Sequence, residues 1–177
     1  MKVQLGKPTE YDFQLPLIRF NLSKKHFDKL KNKNILLDYG CGNGANTILF
    51  KDNFNEIIGL EVEKERLKEA KKESSKRRIR NIIYKFYNGK KIPLKNNSID
   101  ACISFEVIEH TKNDLESLKD IYRVLKKEGI FCLSVPNKLY VMETHGFNLP
   151  LNKYIPYYCI PFFSWLPKSF YKFYGRS

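Results

Sequence analysis

The residues best able to do chemistry lie between positions 38 and 61. Asp38 is followed by Gly40, Gly42 and Gly44 in the run Leu36-Leu37-Asp38-Tyr39-Gly40-Cys41-Gly42-Asn43-Gly44, and Glu61 comes 23 residues after Asp38. Alternating glycines behind an apolar run let the backbone turn tightly and let a ligand come close to it. A helix opening after such a turn aims its free N–H groups at the ligand, which suits a carboxylate or a phosphate. An acidic side chain ending the next strand can accept both hydroxyl protons of a ribose. The order Gly40-Cys41-Gly42-Asn43-Gly44-Ala45 also fits the GxGxxG/A dinucleotide fingerprint. On these residues alone, an NAD-binding oxidoreductase and a ligand-free glycine turn stand beside other nucleoside binders. A second group is Glu106-Val107-Ile108-Glu109-His110. If helical, Glu106, Glu109 and His110 share one face, and an imidazole there has the proton affinity for base chemistry near neutral pH.

The elements that must position these groups alternate. Short apolar runs at Ile35–Leu37, Glu56–Glu61, Ile82–Tyr87, Ile99–Phe105 and Ile130–Val135 read as strands. Between them the pattern predicts helices over Asn43–Asn53, Lys64–Arg80 and Asn113–Lys127. The last carries Leu115, Leu118, Ile121, Tyr122 and Leu125 on one face, and Gly129 is expected to stop it. Strands apolar throughout, alternating with helices, predict an α/β fold. It is a Rossmann-like, doubly wound, mostly parallel sheet of at least five strands with helices on both faces. Such sheets bind ligands outside the carboxyl ends of their strands.

Composition narrows the class further. The chain of 177 residues, 42% hydrophobic, is long enough for one buried core, and its four cysteines form no CxxC pair, as expected of reduced thiols in a cytoplasmic protein. The opening residues lack the apolar core of a secretory signal, and no apolar run reaches membrane-spanning length. The net charge is +13, with nine basic against three acidic residues from Lys64 to Arg80 and more lysines at 24–33. This reads either as solvated helix faces or as attraction to a polyanion such as RNA or an anionic membrane.

Taken together, the blocks resemble the class I S-adenosylmethionine-dependent methyltransferases. LLDYGCGNG resembles that family's first motif, and the likeness continues through Glu61, IPLKNNSID (92–100), SFEVIEH (104–110) and RVLKKEGIFCLSVPN (123–137), covering roughly residues 20 to 150. The resemblance implies S-adenosylmethionine as cofactor, with Gly40 and Gly42 at its methionine end, Asp38 supporting the amino group and Glu61 holding the ribose. Asn88 stands where many members carry an aspartate facing the adenine amino group, and it can still accept a hydrogen bond. Phe86 and Tyr87 read either as an apolar wall for the base or as core. The EVIEH block resembles two O-methyltransferase groups, those of ubiquinone biosynthesis and those acting on the 3′-terminal ribose of small RNAs. In the second, an ExxEH motif with a later histidine holds a divalent metal. Here that would enlist Glu106, Glu109, His110 and His145. The reading adopted is pocket lining without a metal, with His110 and His145 as the candidate catalytic residues.

The chain is read as a single domain: a cap segment 1–34, the Rossmann-like core 35–136, and a C-terminal segment 137–177. That last part holds twelve of the 25 aromatics and four of the eight prolines. It reads as a lid, a peripheral membrane contact or a surface for a second copy through 150–174. The family's usual last two strands are not apparent after Pro136, so the chain is either without that hairpin or truncated. Three functions follow. The first is methylation, expected on oxygen, of a small-molecule or lipid-like acceptor; the second is RNA methylation; the third is a non-catalytic cofactor-binding module.

Overall fold

The computed structural model describes residues 14–135, and the readings made for 136–177, His145 and the aromatic segment among them, lie outside the described residues. Five strands form one sheet: β1 (Ile35–Tyr39), β2 (Glu56–Glu61), β3 (Ile82–Phe86), β4 (Ile99–Phe105) and β5 (Leu125–Ser134). Their order is β3-β2-β1-β4-β5, and every pairing is parallel. The chain order reverses between β1 and β4, so a crevice opens at the carboxyl ends of these two strands. The expected fold is therefore present.

Strand burial explains why these runs are apolar on both sides. Leu36, Ile57, Ala101 and Ile103 face one core cluster, with Phe27, Phe50 and Phe54. Leu37, Ile58 and Cys102, one residue out of phase, face the opposite cluster, with Ile121, Val124 and Leu125. Successive strand side chains point to opposite faces, so a sheet covered twice needs apolar residues at both phases. Helix α1 (Gln14–Phe27), within what the sequence marked only as a cap segment, contributes Phe27 to the first cluster. Helix α2 (Lys64–Lys76) covers the β3 side through Leu67 and Ala70 against Tyr84. Helix α3 (Asp114–Val124) supplies Ile121 and Val124 to the second cluster. No helix among the described residues is long and apolar enough to cross a membrane.

Three helix expectations are corrected. The stretch Asn43–Asn53 forms only a 3-10 helix at Thr47–Phe50, preceded and followed by turns. Tight i→i+3 bonds from Lys51 to Ile48 and from Asn53 to Phe50 bring Phe50 and Phe54 together into the core. The glycine turn is thus not backed by a regular helix, and the N–H groups of Gly42, Gly44 and Ala45 there already donate to Glu61 Oε2, the Cys41 carbonyl and Asn43 Oδ1. Helix α2 ends at Lys76 because Arg78 turns left-handed, at φ 57°, and ends the ladder. Helix α3 ends at Val124, well before Gly129. Leu125 adopts extended backbone, pairs with Ile99 and is buried, which starts β5 five residues early. Gly129 instead lies inside β5, where a Cβ would collide with the side chain of Leu125.

Candidate functional site

The site grows from the end of β1. Gly40 and Gly42 adopt φ values of 80° and 54°, a region that side chains disfavour. They differ in what surrounds them. A Cβ at Gly40 would lie 2.5 Å from both methyls of Val107, whereas one at Gly42 would meet only the Arg66 Nη1 atom, at 3.9 Å. Gly40 is therefore a close-packing position, and Gly42 presents bare backbone to open space. The turn is tied to the second strand, since the Gly40 and Cys41 N–H groups both donate to the Leu60 carbonyl at 2.9 Å.

Glu61 is nearly buried and already held. Its Oε2 accepts from Gly42 N–H at 2.8 Å, and its Oε1 accepts from the N–H groups of Val62 (2.7 Å) and Glu63 (2.9 Å). A carboxylate has about four lone-pair sites, so three are used and one remains on Oε2. A ribose presents two hydroxyls to an acidic side chain at this position. This geometry accommodates one directly, and the second only by sharing with the Gly42 N–H. The same three bonds fix the carboxylate in place at the crevice.

Asp38, near the carboxyl end of β1, is 2% exposed and accepts a hydrogen bond from Thr47 Oγ1 at 2.6 Å. Burial pushes its carboxyl up to about 7; the Thr47 bond works against this and the nearby charge of Glu61 adds to it. Such a group is poised to accept a positive partner. Two more polar atoms among the described residues, Asn46 Oδ1 and Ser104 Oγ, are buried without a hydrogen-bond partner. Asn46 follows the glycine turn, and Ser104 lies near the carboxyl end of β4. Neither was identified from the sequence, where an isolated Asn or Ser carries no spacing signal. Burial also pushes up the thiol of Cys41, which makes it an inert small apolar residue of the turn.

At the end of β3, Phe86 sits in register with Glu61. The pair Phe86–Tyr87 divides: Tyr87 is buried edge-on against Tyr39, with centroids 5.6 Å apart, while Phe86 is half-exposed beside the Lys64 ammonium, 5.4 Å from its ring centre. Val62, immediately after Glu61, is also half-exposed, and an apolar residue following the acidic one was the available signal for it. Asn88 is exposed and its Oδ1 accepts from Lys90 N–H at 3.1 Å, closing a local turn.

The EVIEH block departs from the expected helix. Only Ile108–His110 form a single 3-10 turn, and Glu106 is left-handed at φ 58°. The Glu106 carboxylate turns away to Arg19 (3.0 Å) and to the Ser134 hydroxyl (2.6 Å), so Glu106, Glu109 and His110 do not share a helix face. His110 Nε2 lies 3.8 Å from Glu109 Oε1. No group of three or more His, Cys, Asp or Glu side chains among the described residues is arranged to hold a metal.

Comparison with known proteins fits this geometry. Residues 37–133, more than half of the chain, match the model of a methyltransferase domain. A protein of Mycolicibacterium smegmatis named "Probable S-adenosylmethionine-dependent methyltransferase" is 29% identical over 67% of this chain and 44% of its own length. The ubiquinone biosynthesis O-methyltransferase of Pelagibacter ubique is 28% identical over 76% of this chain and 52% of its own. The crystal structure of the YcgJ protein of Bacillus subtilis superposes with a TM-score of 0.62 at 22% identity, covering 66% of this chain and 50% of that one, which supports the fold. The chain spans about half the length of the relatives it matches.

Proposed function

The chain belongs to the class I S-adenosylmethionine-dependent methyltransferases, enzymes whose cofactor is S-adenosylmethionine, and on that premise we propose that it moves a methyl group from this cofactor to an oxygen of a small-molecule or lipid-like acceptor. The observation that carries the reading is the juxtaposition of Asp38, the open backbone of Gly42 and the fixed carboxylate of Glu61 at the carboxyl ends of β1 and β2. The cofactor's chemistry fits these residues. Its amino group supplies the positive charge that the buried Asp38 lacks. Gly42 leaves room for close backbone approach, and Glu61 keeps one acceptor site for a ribose hydroxyl. Phe86 and Val62 offer half-exposed apolar surface near Asn88 for a flat base.

When bound, S-adenosylmethionine supplies an activated methyl group that leaves behind a neutral thioether. The protein's share is then mostly positioning. Asp38 and Gly42 hold the methionine end, with Gly40 keeping the turn closely packed against Val107. Glu61 and Asn88 hold the nucleoside end. An acceptor hydroxyl needs its proton removed, and in this reading His110 takes it, with Glu109 beside it to steady the charged imidazole. His145 remains a candidate for the same task. The resemblance to the ubiquinone O-methyltransferase supports oxygen as the acceptor atom.

Two measurements test the reading. S-adenosylhomocysteine should raise the melting temperature and NAD should not, because only a ligand of the folded state stabilises it. Labelled S-adenosylmethionine incubated with separate lipid, RNA and protein extracts should place the label in a lipid or small-molecule fraction. Binding without any transfer of label would point to a non-catalytic cofactor-binding module. A second reading, RNA as acceptor, is favoured by the exposed Lys64, Lys68, Lys71, Lys72 and Lys76 of α2, with Lys85 on the edge strand β3. Label in the RNA fraction would select it.

A further inference from the structure

We propose that Arg19 of α1 is a positioning residue that, through Glu106, holds the loop after β4 against the glycine turn of the cofactor site. The inference rests on the methyltransferase reading for its functional meaning, although its geometry is independent of it. Glu106 is one of four described residues other than glycine with positive φ, and it directly follows β4. A left-handed glutamate at this point persists only if its surroundings over-determine it. Three contacts do so: Arg19 Nη2 at 3.0 Å and the Ser134 hydroxyl at 2.6 Å on its carboxylate, and its own N–H donating to the Ser134 carbonyl at 2.9 Å. Arg19 is itself fixed, with its side chain 12% exposed and its guanidinium over the Phe105 ring at 5.6 Å.

The consequence lies one residue further on. Val107 fills the space that a side chain would occupy at Gly40, and its carbonyl accepts the His110 N–H at 2.9 Å. Val107 therefore connects the glycine turn to the candidate base. With Glu106 in its left-handed state, Val107 is pressed onto Gly40 and His110 is held in a fixed place. Without Arg19, the Glu106 carboxylate loses its charged partner. The loop can then relax toward ordinary backbone, carrying Val107 off the turn and moving His110. Helix α1 thus sets the register between the cofactor turn and the acceptor side of the site through the Arg19–Glu106 ion pair, with Glu109 also within electrostatic reach of the guanidinium.

The test uses Arg19→Ala, Arg19→Lys, Glu106→Gln and the Arg19→Ala/Glu106→Gln double variant. Calorimetry with S-adenosylhomocysteine is combined with hydrogen exchange of the Glu106, His110 and Thr111 amides in the ligand-free protein. The expected result for Arg19→Ala is binding weaker by about tenfold, exchange of these amides faster by at least about tenfold, and strand amides unchanged. Arg19→Lys should recover part of both effects, and the double variant should be no worse than Arg19→Ala alone. Wild-type affinity and exchange in Arg19→Ala would overturn the proposal. So would faster exchange throughout the sheet, which marks a merely structural role, or losses that add in the double variant. If the wild-type protein ignores S-adenosylhomocysteine, the methyltransferase reading fails, and local exchange still decides the role of Arg19.

Discussion

Replacing Asp38 with asparagine should make the ligand-free protein more stable and the site useless. Asp38 is 2% exposed, with its carboxyl pushed from an ordinary 3.8 up to about 7 by burial. Its proton is held more tightly in the folded state than in the unfolded one. Its contribution to stability is therefore fully present below about pH 4 and is lost as pH rises to about 7. Three units, at about 1.4 kcal/mol each, put the loss near 4 kcal/mol at and above neutral pH, an upper figure for one buried carboxylate. The introduced amide would keep an oxygen for the Thr47 hydroxyl while carrying no charge. Asp38→Asn should accordingly flatten the stability profile between about pH 4 and 7 and gain up to about 4 kcal/mol at pH 8. It should also weaken S-adenosylmethionine by removing the charge proposed to face its amino group. In the wild type, binding near pH 6 should release a proton, because a cation beside Asp38 favours the ionised carboxyl. Urea denaturation across this pH range, with calorimetry in buffers of different ionisation enthalpy, would read both effects. A variant less stable than wild type at pH 8, or one that binds with unchanged affinity and the same proton release, refutes the assignment of Asp38.

Glu61→Ala should weaken S-adenosylhomocysteine binding by about 1.5 to 3 kcal/mol, the worth of a hydrogen bond to one charged acceptor site, as read by calorimetry; unchanged affinity would remove Glu61 from the ribose. Gly40→Ala and Gly42→Ala should part company. Both impose the roughly 1 to 2 kcal/mol cost of a left-handed alanine, but only the first collides with Val107 and should lower the melting temperature further, while the second should lose more affinity than stability. Arg123→Ala should destabilise by about 2 to 4 kcal/mol in urea melts, because its guanidinium donates to Asp120, Asn96 and the carbonyls of Ile92 and Leu94, and it should leave affinity unchanged if those bonds only brace the loop before β4.

The strands, their parallel pairing and a crevice at their carboxyl ends were legible in the sequence; the strand order that puts this crevice between β1 and β4 came from the structure. Apolar runs of strand length, separated by helical patterns, admit few topologies, and short right-handed crossovers remove most of the rest. Asp38, the glycines and Glu61 could be singled out because they form a local pattern, which the chain itself sets and which carries the family resemblance. Their surroundings could not. That Gly42 is open while Gly40 is filled depends on Val107, 67 positions after Gly40. The Val62 and Glu63 N–H groups that hold Glu61 are its own neighbours, but the Gly42 N–H on Oε2 and the loss of solvent around Asp38 follow from packing between elements that share no local pattern. The EVIEH helix failed for the same reason. Its spacing suits a helix, but the ion pair from Glu106 to Arg19 and the bond to Ser134 join segments 87 and 28 residues away, and those distant contacts overrode the local preference. Local periodicity therefore determined the scaffold and marked the candidate cofactor residues. Tertiary contact decided how Asp38 is charged, that Gly42 is bonded to Glu61, and which faces remain open to a ligand.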